Sequence, residues 1–279
     1  LFAPAMNTFM YTHAATQANI ALLKERGVFF VGPAPGRLAC GEEGPGRMAE
    51  VPELLEAAAQ ALHPQKDLAS LRVLITSGPN FEPIDAARYI GNRSSGKMGY
   101  ALALEALCRG AAVCVVSGPA TQPPPVAAEI VSVQTAREMY NAVLERLPGC
   151  DILIGAAAVA DYRIALPDPG KIKRSDEPMA LHLVPNPDIL AEAAAKKKAG
   201  QRFVGFAAET ENAVEKAREK LQRKQLDMIV ANLIGGERCA IGSDCGDAWI
   251  LTAGGVSEAY PQVEKATLAK YIFDHLVSG

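Results

Sequence analysis

The sequence predicts an α/β protein: a Rossmann-like, mostly parallel sheet with helices on both faces, followed by a C-terminal β-hairpin and helix. Short apolar runs without polar alternation recur from residue 72 to residue 232, as expected for strands covered on both faces. Segments with helical spacing separate these runs, and this βαβ order produces parallel sheets. The tail differs, because residues 248–263 have the pattern of a hairpin centred on Gly254 and Gly255.

The first part of the chain is separated from the rest by a polar, proline-containing stretch at residues 63–70. This stretch is the predicted linker, so we divide the chain into domains 1–65 and 66–279. Four elements are predicted before it: a helix at 14–27, a short buried strand at 27–33, a loop or flap rich in glycine and charge at 36–50, and a helix at 51–63.

The second domain alternates strands and helices. Its strands are predicted at 72–76, 112–117, 129–133, 151–157, 203–207 and 227–232. Its helices are predicted at 96–109, 135–147, 188–198 and 211–225, with a last helix at 264–277 after the hairpin.

Composition excludes several classes of protein. Hydrophobic residues make up 49% and charged residues 21%, which provides a core and argues against disorder. A formal net charge of −3 argues against a nucleic-acid binder, and no apolar run is long enough to cross a membrane. The six cysteines contain no CxxC pair, which predicts a reduced, cytoplasmic protein, and four scattered histidines argue against a zinc site.

The chain starts with LFAPAMN, which resembles a strand running into a loop, so we expect a piece of a longer protein.

Polar loops follow the predicted strands of the second domain. In a parallel α/β sheet, ligands bind beyond the carboxyl ends of the strands, so these loops are expected to share one rim. They are residues 76–85, 88–97, 117–122, 155–163 and 206–210.

The stretch Arg88–Ala103 is the most informative of these loops. A polar turn of Asn92, Ser94, Ser95 and Gly96 leads into a helix that begins near Lys97. Free N–H groups and the positive end of a helix dipole suit an anion, so we interpret the turn as a phosphate-handling loop.

Six motifs in register resemble those of phosphopantothenate–cysteine ligase, the second half of the bifunctional coenzyme A biosynthesis flavoprotein. The similarity covers about residues 70–279. The motifs are EPIDAARYIGNRSSGKMG (82–99), AAAVADYR (156–163), KIKR (171–174), NPDIL (186–190), VGFAAET (204–210) and the lysines of REKLQRKQLD (218–227).

Residues 1–65 resemble the end of the partner half, phosphopantothenoylcysteine decarboxylase. The motif PAMNTFM would place Asn7 at the substrate carboxylate, and the 36–50 flap would supply Cys40 as an acid. Cys40 stands in the chain near Arg37 and Arg47, which would favour its thiolate. The upstream part that binds FMN in that half is missing from this sequence, so we expect any decarboxylase activity to depend on another segment or subunit.

The resemblance implies that CTP activates the carboxylate of 4′-phosphopantothenate as an acyl-cytidylate, after which the amine of L-cysteine displaces CMP. Mg²⁺ is expected with the triphosphate, held by phosphates and water, and no protein residue is assigned to a metal. The choice between CTP and ATP as the nucleotide stays open, because related ligases use ATP. The resemblance further implies a homodimer through the ligase domain and a larger oligomer of the full-length protein.

Three residues are assigned to catalysis by the resemblance. Lys171 would stabilise charge at the α-phosphate, unless it is a solvated surface lysine; Lys173 has weaker support. Asn92 would orient the acyl-cytidylate and donate to the oxyanion, unless it only forms a turn or caps a helix. Arg88 would bind a carboxylate or phosphate, unless it pairs with Asp85 or Glu82.

The remaining candidates are assigned to the nucleotide. Small residues would let a base or sugar approach the backbone, and Asp161 would accept from cytosine or ribose. Two lysines on one helix face would bind the outer phosphates. Residues 186–189 would form a helix N-terminus near the nucleotide, with Pro187 at an early helical position. The alternatives are tight strand–helix packing for the small residues, a core position for the aromatic residue and solvation for the lysines. The candidates are Gly155, Ala156, Ala157, Asp161, Lys171, Asn186, Pro187, Asp188, Ile189, Phe206, Lys220 and Lys224.

The sequence departs from the family pattern in places. Asn80 stands where a Thr is usual, Ala86 and Ala87 interrupt the usual DPVR, and Gly246 replaces an Asn. Two other functions stay open. One is an NAD(P)-dependent oxidoreductase on a dinucleotide fold, although TSGPNFEP replaces a G-x-G-x-x-G turn. The other is a non-catalytic regulatory subunit, towards which the Gly246 replacement points.

Overall fold

The structure is a computed structural model that describes residues 1–174, 176–234, 242–255 and 257–278. Cys239 therefore lies outside the described residues. The chain divides into two compact units, an N-terminal unit at Leu1–Lys66 and a C-terminal unit at Asp67–Gly279. None of the helices that the structure describes has the length and apolar content needed to cross a bilayer.

The N-terminal unit holds three helices and one β-hairpin among its described elements. They are α1 (Thr8–Thr12), α2 (Ala14–Glu25), β1 (Ala34–Arg37), β2 (Glu43–Arg47) and α3 (Val51–Leu62). Strands β1 and β2 pair antiparallel, so the predicted flap is a hairpin rather than a loop.

The strand predicted at 27–33 is wrong. Only one bridge forms there, between Phe30 and Phe2, and Phe29 is 56% exposed. A strand needs a ladder of backbone partners. In the described chain, Gly27 and Val28 bond back to α2, and the rest of this segment bonds only to Phe2.

The C-terminal unit contains the main sheet and its helices. Its elements are β3 (Arg72–Ser77), β4 (Phe81–Pro83), β5 (Tyr89–Gly91), α4 (Lys97–Cys108), β6 (Ala112–Ser117), β7 (Glu129–Ser132), α5 (Ala136–Arg146), β8 (Ile152–Gly155), β9 (Tyr162–Ile164), β10 (Leu183–Pro185), α6 (Ile189–Ala194), β11 (Arg202–Glu209), α7 (Ala213–Arg223), β12 (Met228–Leu233), β13 (Cys245–Thr252), β14 (Ser257–Glu264) and α8 (Lys265–Ser278).

Eight of the described strands form one sheet in the order β14-β13-β12-β11-β8-β3-β6-β7. The six strands from β12 to β7 pair in parallel, whereas β13 and β14 form the antiparallel tail hairpin. The predicted mostly parallel class is therefore confirmed, and so is the C-terminal hairpin followed by a helix.

Two hydrophobic clusters cover the two faces of this sheet. Helices α4 and α8 pack on one face, which also holds Val204 and Phe206. Helices α5, α6 and α7 pack on the other face, with Phe203 and Ala207. The side chains of β11 thus alternate between two cores, which is why its sequence is apolar without interruption.

The end of the predicted linker belongs to the core of the C-terminal unit. Leu68 has no exposed surface, and Asp67 accepts hydrogen bonds from Arg109 Nε at 2.8 Å and Nη2 at 2.6 Å. Arg109 is itself only 1% exposed and also donates to Asp274 at 2.8 Å. Its buried charge is therefore compensated by two carboxylates from distant segments.

Two small antiparallel pairs were not predicted. Strand β4 pairs with β5, and β9 pairs with β10, each over three residues. They lie within the loops at the carboxyl edge of the sheet, where the candidate residues were expected. Helix α6 is also shorter than predicted, since it ends at Ala194.

Candidate active site

A cleft opens at the carboxyl edge of the sheet, on the face covered by α4 and α8. The loop and first turn of α4 form one wall, from Arg93 to Gly99. Ala156 and Phe206 line it from β8 and β11, and Asn232 lines it from the end of β12. The predicted phosphate loop and three of the predicted nucleotide residues, Ala156, Ala157 and Phe206, therefore share one cleft.

The start of α4 suits an anion. Gly96 is the N-cap residue with φ 78°, a left-handed conformation that glycine adopts without strain. Ser94 and Ser95 accept only long bonds, at 3.4 and 3.5 Å, from the N–H groups of Gly96 and Lys97. The first N–H groups of a helix have no partner inside it, so this wall presents donors and a positive dipole end.

Lys97 brings a positive charge to the same wall of the cleft. Its Nζ donates to Asp244 Oδ1 at 2.5 Å, and this hydrogen bond lowers the pKa of the Asp244 carboxyl. An incoming phosphate would compete with Asp244, which is 84% exposed at the side chain and so exchanges readily with solvent.

Asn92 joins the phosphate loop to the loop after β8. Its Nδ2 donates to the carbonyl oxygens of Val159 at 2.9 Å and Ala158 at 3.3 Å. The amide nitrogen is therefore already bonded to two carbonyl oxygens, and an oxyanion would have to replace one of them. The structure shows Asn92 connecting two loops at the rim, and the predicted oxyanion role stays a prediction.

The three small residues after β8 do not form one open surface. Leu190 fills the space above Gly155, where an added Cβ would lie 2.6 Å from Leu190 Cδ1. The alternative of tight strand–helix packing is therefore the correct one for Gly155. Ala156 and Ala157 line the cleft, but their N–H groups are already bonded, to Thr76 O and Thr76 Oγ1 respectively, at 3.2 Å each.

Asp161 and Asn186 lie against each other at the same edge. The backbone N–H of Asn186 donates to Asp161 O at 2.8 Å, and Asn186 Nδ2 donates to Ala160 O at 2.9 Å. Arg163 Nη1 completes the contact by donating to Asn186 Oδ1 at 3.3 Å. The Asp161 side chain is exposed and accepts no hydrogen bond from any residue that the structure describes.

The helix start predicted at Asn186–Ile189 differs in detail. Asp188 is the N-cap of α6 and accepts from Ala191 N at 3.2 Å, so Pro187 lies outside the helix. Ile189 is 6% exposed within the core on the α7 face. Ile189 therefore packs, and we withdraw it as a residue whose side chain contacts nucleotide.

Lys220 in α7 and Lys224, the C-cap residue of α7, are both paired with carboxylates. Lys220 Nζ donates to Glu209 Oε1 at 2.5 Å, and Lys224 Nζ donates to Asp188 Oδ1 at 2.9 Å. Burial raises the pKa of both carboxyls, but their lysine partners outweigh it, and the net pKa shift is downward. Glu209 extends from the α7 face of the sheet, so these lysines lie across the sheet edge from the α4 cleft.

Arg88 is paired rather than free. Its Nε donates to Asp85 Oδ2 at 3.0 Å, its Nη2 also contacts that oxygen, and Nη2 donates to Ile172 O at 2.8 Å. The predicted alternative, a salt bridge to Asp85, is the one that the structure shows. Arg88 does not line the cleft.

Lys171 is exposed in the loop that this pair holds. Its side chain forms no hydrogen bond or ion pair with any residue that the structure describes, so its ammonium group is available to a ligand. Lys173 is exposed in the same loop.

Asn232, which lines the cleft, was missed from the sequence, whereas Asn80 was named there only as a departure from the family pattern. Asn232 lies at the carboxyl end of β12, and the rule that ligands bind there would have found it. Asn80 has no exposed surface, and its side-chain oxygen and nitrogen have no hydrogen-bond partner among the described residues. It precedes β4, whose first residue Phe81 pairs with Gly91, so the register continued by one residue sets Asn80 opposite Asn92.

In the N-terminal unit, Asn7 and Cys40 are brought together as the motifs predict. Asn7 Nδ2 donates to Cys40 Sγ at 3.3 Å and to Glu42 Oε2 at 2.9 Å. The hydrogen-bond partners of the thiol are thus an amide and a carboxylate, whereas Arg47 pairs with Glu50. Arg47 was expected beside Cys40, but it pairs with Glu50 instead and is not a described partner of the thiol.

Comparison with the sequences and structures of known proteins shows which family this chain belongs to. Residues 68–278 match the family described as DNA/pantothenate metabolism flavoprotein C-terminal domain, and residues 1–63 match the family described as Flavoprotein. The coenzyme A biosynthesis bifunctional protein CoaBC of Escherichia coli (strain K12) is 43% identical over 278 residues, which is 99% of this chain and 68% of that protein.

The chain belongs to the CoaBC family.

Another CoaBC, from Vibrio vulnificus (strain YJ016), is 44% identical over 265 residues, which cover 94% of this chain and 64% of that protein. The crystal structure of the C-terminal domain of a CoaBC protein has a TM-score of 0.66 and 35% identity, covering 77% of this chain and 97% of that domain. The DNA/pantothenate metabolism flavoprotein from Streptococcus pneumoniae, at 22% identity and a TM-score of 0.65, supports the fold.

Membership of the CoaBC family confirms the predicted resemblance and places the chain among enzymes of coenzyme A biosynthesis. The C-terminal unit carries the CoaBC C-terminal fold. At the carboxyl edge of its sheet the start of α4 suits an anion, Asp161 has an exposed side chain, and Lys171 is exposed in the loop bonded to the β4–β5 turn. Asn92, Asp161 and Lys171 are not among the residues that line the α4 cleft.

Proposed function

We propose that the chain catalyses the CTP-dependent ligation of 4′-phosphopantothenate and L-cysteine to 4′-phosphopantothenoylcysteine. One observation carries the proposal: hydrogen bonds connect the loops of all three predicted key residues at one sheet edge. Asn92 bonds to the 158–159 backbone, Asp161 follows two residues later, and the loop of Lys171 is bonded to the turn that precedes β5.

The first step joins substrate and nucleotide. An oxygen of the phosphopantothenate carboxylate attacks the α-phosphorus of CTP, and pyrophosphate leaves with the electrons of the broken P–O bond. Lys171 would stabilise the charge that develops on the α-phosphate, since its ammonium group has no competing partner in the described chain. Asp161 would accept from the cytosine amine or the ribose, because its carboxylate is exposed.

The second step releases CMP. The neutral amine of cysteine attacks the acyl carbon, a tetrahedral centre forms, the bond to the cytidylate oxygen breaks, and the nitrogen loses a proton to solvent. Asn92 would donate to the oxygen of the tetrahedral centre after exchanging one of its two carbonyl partners.

The α4 cleft supports the binding of one phosphate group apart from the triphosphate. We assign the phosphate of 4′-phosphopantothenate to the turn at Ser94–Lys97, where donors and a positive charge converge. The triphosphate is assigned to Lys220 and Lys224 across the sheet edge, where it would displace Glu209 and Asp188 from the two ammonium groups. The separation of these two basic regions fits a reaction in which the phosphate of 4′-phosphopantothenate and the outer phosphates of CTP lie on opposite sides of the reacting carboxylate.

Mg²⁺ would accompany the triphosphate. Phosphates and water would provide most of its ligands, as is usual for Mg²⁺ bound with a nucleoside triphosphate. We also propose a homodimer through the C-terminal unit, as the family resemblance implies, and a larger oligomer for a full-length protein.

The test is pyrophosphate release by the purified chain with Mg²⁺, phosphopantothenate and either CTP or ATP. We expect release only when phosphopantothenate and CTP are both present, limited to about one equivalent per active site without cysteine and continuous with it. Pyrophosphate release that does not require phosphopantothenate would exclude the ligase function. Faster release with ATP than with CTP would exclude CTP as the preferred nucleotide. A chelator should stop release, and added Mg²⁺ should restore it.

A second candidate function, phosphopantothenoylcysteine decarboxylation, is favoured by the Asn7–Cys40 contact in the N-terminal unit. Asn7 already donates to a carboxylate, that of Glu42, so its amide is placed to bind a substrate carboxylate instead. FMN, which the resemblance assigns to the decarboxylase half, would supply the redox chemistry when bound. The groups identified in this unit suit the substrate rather than the flavin, so the activity would need a partner segment. The test is formation of the final decarboxylated thiol after adding FMN and a CoaBC flavin segment. This product should be lost in Cys40→Ser, because Cys40 is assigned as the acid that acts after carbon dioxide has left.

A further inference from the structure

Asp85 is a buried carboxylate in the turn between β4 and β5. It is 4% exposed, and both of its oxygens are used. Oδ1 accepts from the backbone N–H groups of Ala87 and Arg88, each at 2.8 Å. Oδ2 accepts from Arg88 Nε at 3.0 Å and from the backbone N–H of Ile172 at 3.1 Å. One carboxylate therefore connects its own turn to a segment 87 residues away.

The segment before and at Lys171 is held to this turn by further backbone bonds. Asp168 N donates to Ile84 O at 3.0 Å, and Ala86 N donates to Gly170 O at 3.1 Å. Arg88 Nη2 donates to Ile172 O at 2.8 Å, so both backbone polar groups of Ile172 are bound by the Asp85–Arg88 pair. We call these contacts the Ile172 clip.

The clip fixes the residue that follows Lys171 in the chain. Residues 171–174 have no regular secondary structure, and the Lys171 side chain has no partner among the described residues that would orient it. The backbone position of Lys171 therefore depends on hydrogen bonds to its neighbours. A group that is held in place before reaction loses less entropy in the transition state, and a displacement of about 1 Å can lower a rate about 10²-fold.

We propose that Asp85 is a positioning residue for Lys171, acting through the Ile172 clip. The proposal rests on the proposed ligase function, in which Lys171 contacts the α-phosphate. Asp85 itself touches neither substrate nor nucleotide. Arg88 holds the pKa of the Asp85 carboxyl well below its usual range, so the acceptor stays ionised at neutral pH.

A double-mutant cycle separates positioning from a general structural role. Asp85→Asn replaces a carboxylate oxygen by an N–H donor that faces Arg88 and the N–H of Ile172. We expect kcat for pyrophosphate release to fall about 10- to 10²-fold, with KM for phosphopantothenate changed less than about twofold. In the Lys171→Gln background, Asp85→Asn should lower the residual rate less than about twofold, because the residue that it positions is gone. Equal losses in both backgrounds would overturn the proposal.

Asp176→Asn is the matched control, since Asp176 is an exposed aspartate of the same loop, and its rate should match the unaltered chain. Asp168→Ala provides a second variant that leaves the buried cluster intact. It removes the hydrogen bond from Gly170 N to Asp168 Oδ1, which is 2.8 Å long, and should give a smaller loss of kcat that also disappears in the Lys171→Gln background. A loss that persists there would count against the proposal even if Asp85→Asn does not fold.

Amide hydrogen exchange tests the clip without any activity. In Asp85→Asn, residues 168–174 should exchange at least tenfold faster than in the unaltered chain, while residues 203–207 of β11 keep their protection. Unchanged exchange at 168–174 would overturn the clip. If the unaltered chain releases no pyrophosphate, the ligase function fails, and the exchange result still decides whether Asp85 holds the loop.

Discussion

Asn92 donates its side-chain amide to the backbone carbonyl of Val159 at 2.9 Å, and so joins the loop before α4 to the loop after β8. This bond is the shortest direct connection that the structure describes between the phosphate loop and the segment leading to Asp161. It gives Asn92 two functions in the proposed reaction, since the same N–H group that holds the loops together is the predicted oxyanion donor.

Asn92→Asp should impair turnover about 10²- to 10³-fold, the range measured when one oxyanion donor is removed. The carboxylate has no N–H to donate to the oxyanion, so the second step should slow and bound acyl-cytidylate should accumulate. The carboxylate would also face the carbonyl oxygens of Ala158 and Val159, which repel it. Quenched-flow measurement of pyrophosphate and CMP release checks this. Asn141→Asp, at an exposed position of α5, should leave both rates unchanged. Unchanged kinetics in Asn92→Asp would reduce Asn92 to a turn residue.

Lys171→Gln should slow the first chemical step about 10²-fold or more, because a preorganised positive charge at the α-phosphate is lost. Single-turnover pyrophosphate release measures that step directly. Lys196→Gln replaces another exposed lysine of the same unit and should have no effect. A near-normal rate in Lys171→Gln would show that the loop lysine is only solvated.

Lys220→Met and Lys224→Met should each raise KM for CTP about tenfold, since a hydrogen bond to a charged group contributes about 1.5–3 kcal/mol. The steady-state kcat should change little if these lysines bind the outer phosphates equally in ground and transition states. Lys216→Met is the matched control, because Lys216 also lies on α7 and contacts Glu209, at 3.5 Å. An unchanged KM for CTP in both variants would place the triphosphate elsewhere.

Asn80→Leu should raise the free energy of unfolding by about 1–3 kcal/mol, the cost of a buried polar group that has no hydrogen-bond partner. Leucine has a similar shape and needs no partner. Urea denaturation of the ligand-free chain measures the change, with Asn141→Leu on the exposed face of α5 expected within about 0.5 kcal/mol. A loss of stability in Asn80→Leu would mean that the amide is satisfied, for example by buried water.

Cys40→Ser should leave ligation untouched, because Cys40 and its partners Asn7 and Glu42 all lie in the N-terminal unit. Pyrophosphate release with phosphopantothenate, CTP and cysteine is the measurement. Cys245→Ser, in β13 of the C-terminal unit, provides a comparison at a thiol that contacts Gln262. A large loss of ligation in Cys40→Ser would contradict the separation of the two proposed activities.

The sequence by itself determined the order of elements, the parallel class of the sheet and the rim where its polar loops end. These follow from local periodicity and from the rule that parallel strands carry their ligands at their carboxyl ends. It also identified the family, because six motifs in register are specific. Its errors were local: a strand at 27–33 without a ladder partner, and Pro187 placed inside a helix that begins two residues later.

Only the tertiary structure decided which charged groups are paired. Arg88 meets Asp85, Lys220 meets Glu209 and Lys224 meets Asp188, whereas Lys171 stays available. Asp85 lies only three residues from Arg88, so spacing allowed that pair without deciding it. Lys224 and Asp188 are 36 residues apart, and such a pair depends on packing between distant segments, on which residue types and spacing carry no information. The same long-range packing filled the space at Gly155 with Leu190 and set the two lysines across the sheet edge from the α4 cleft.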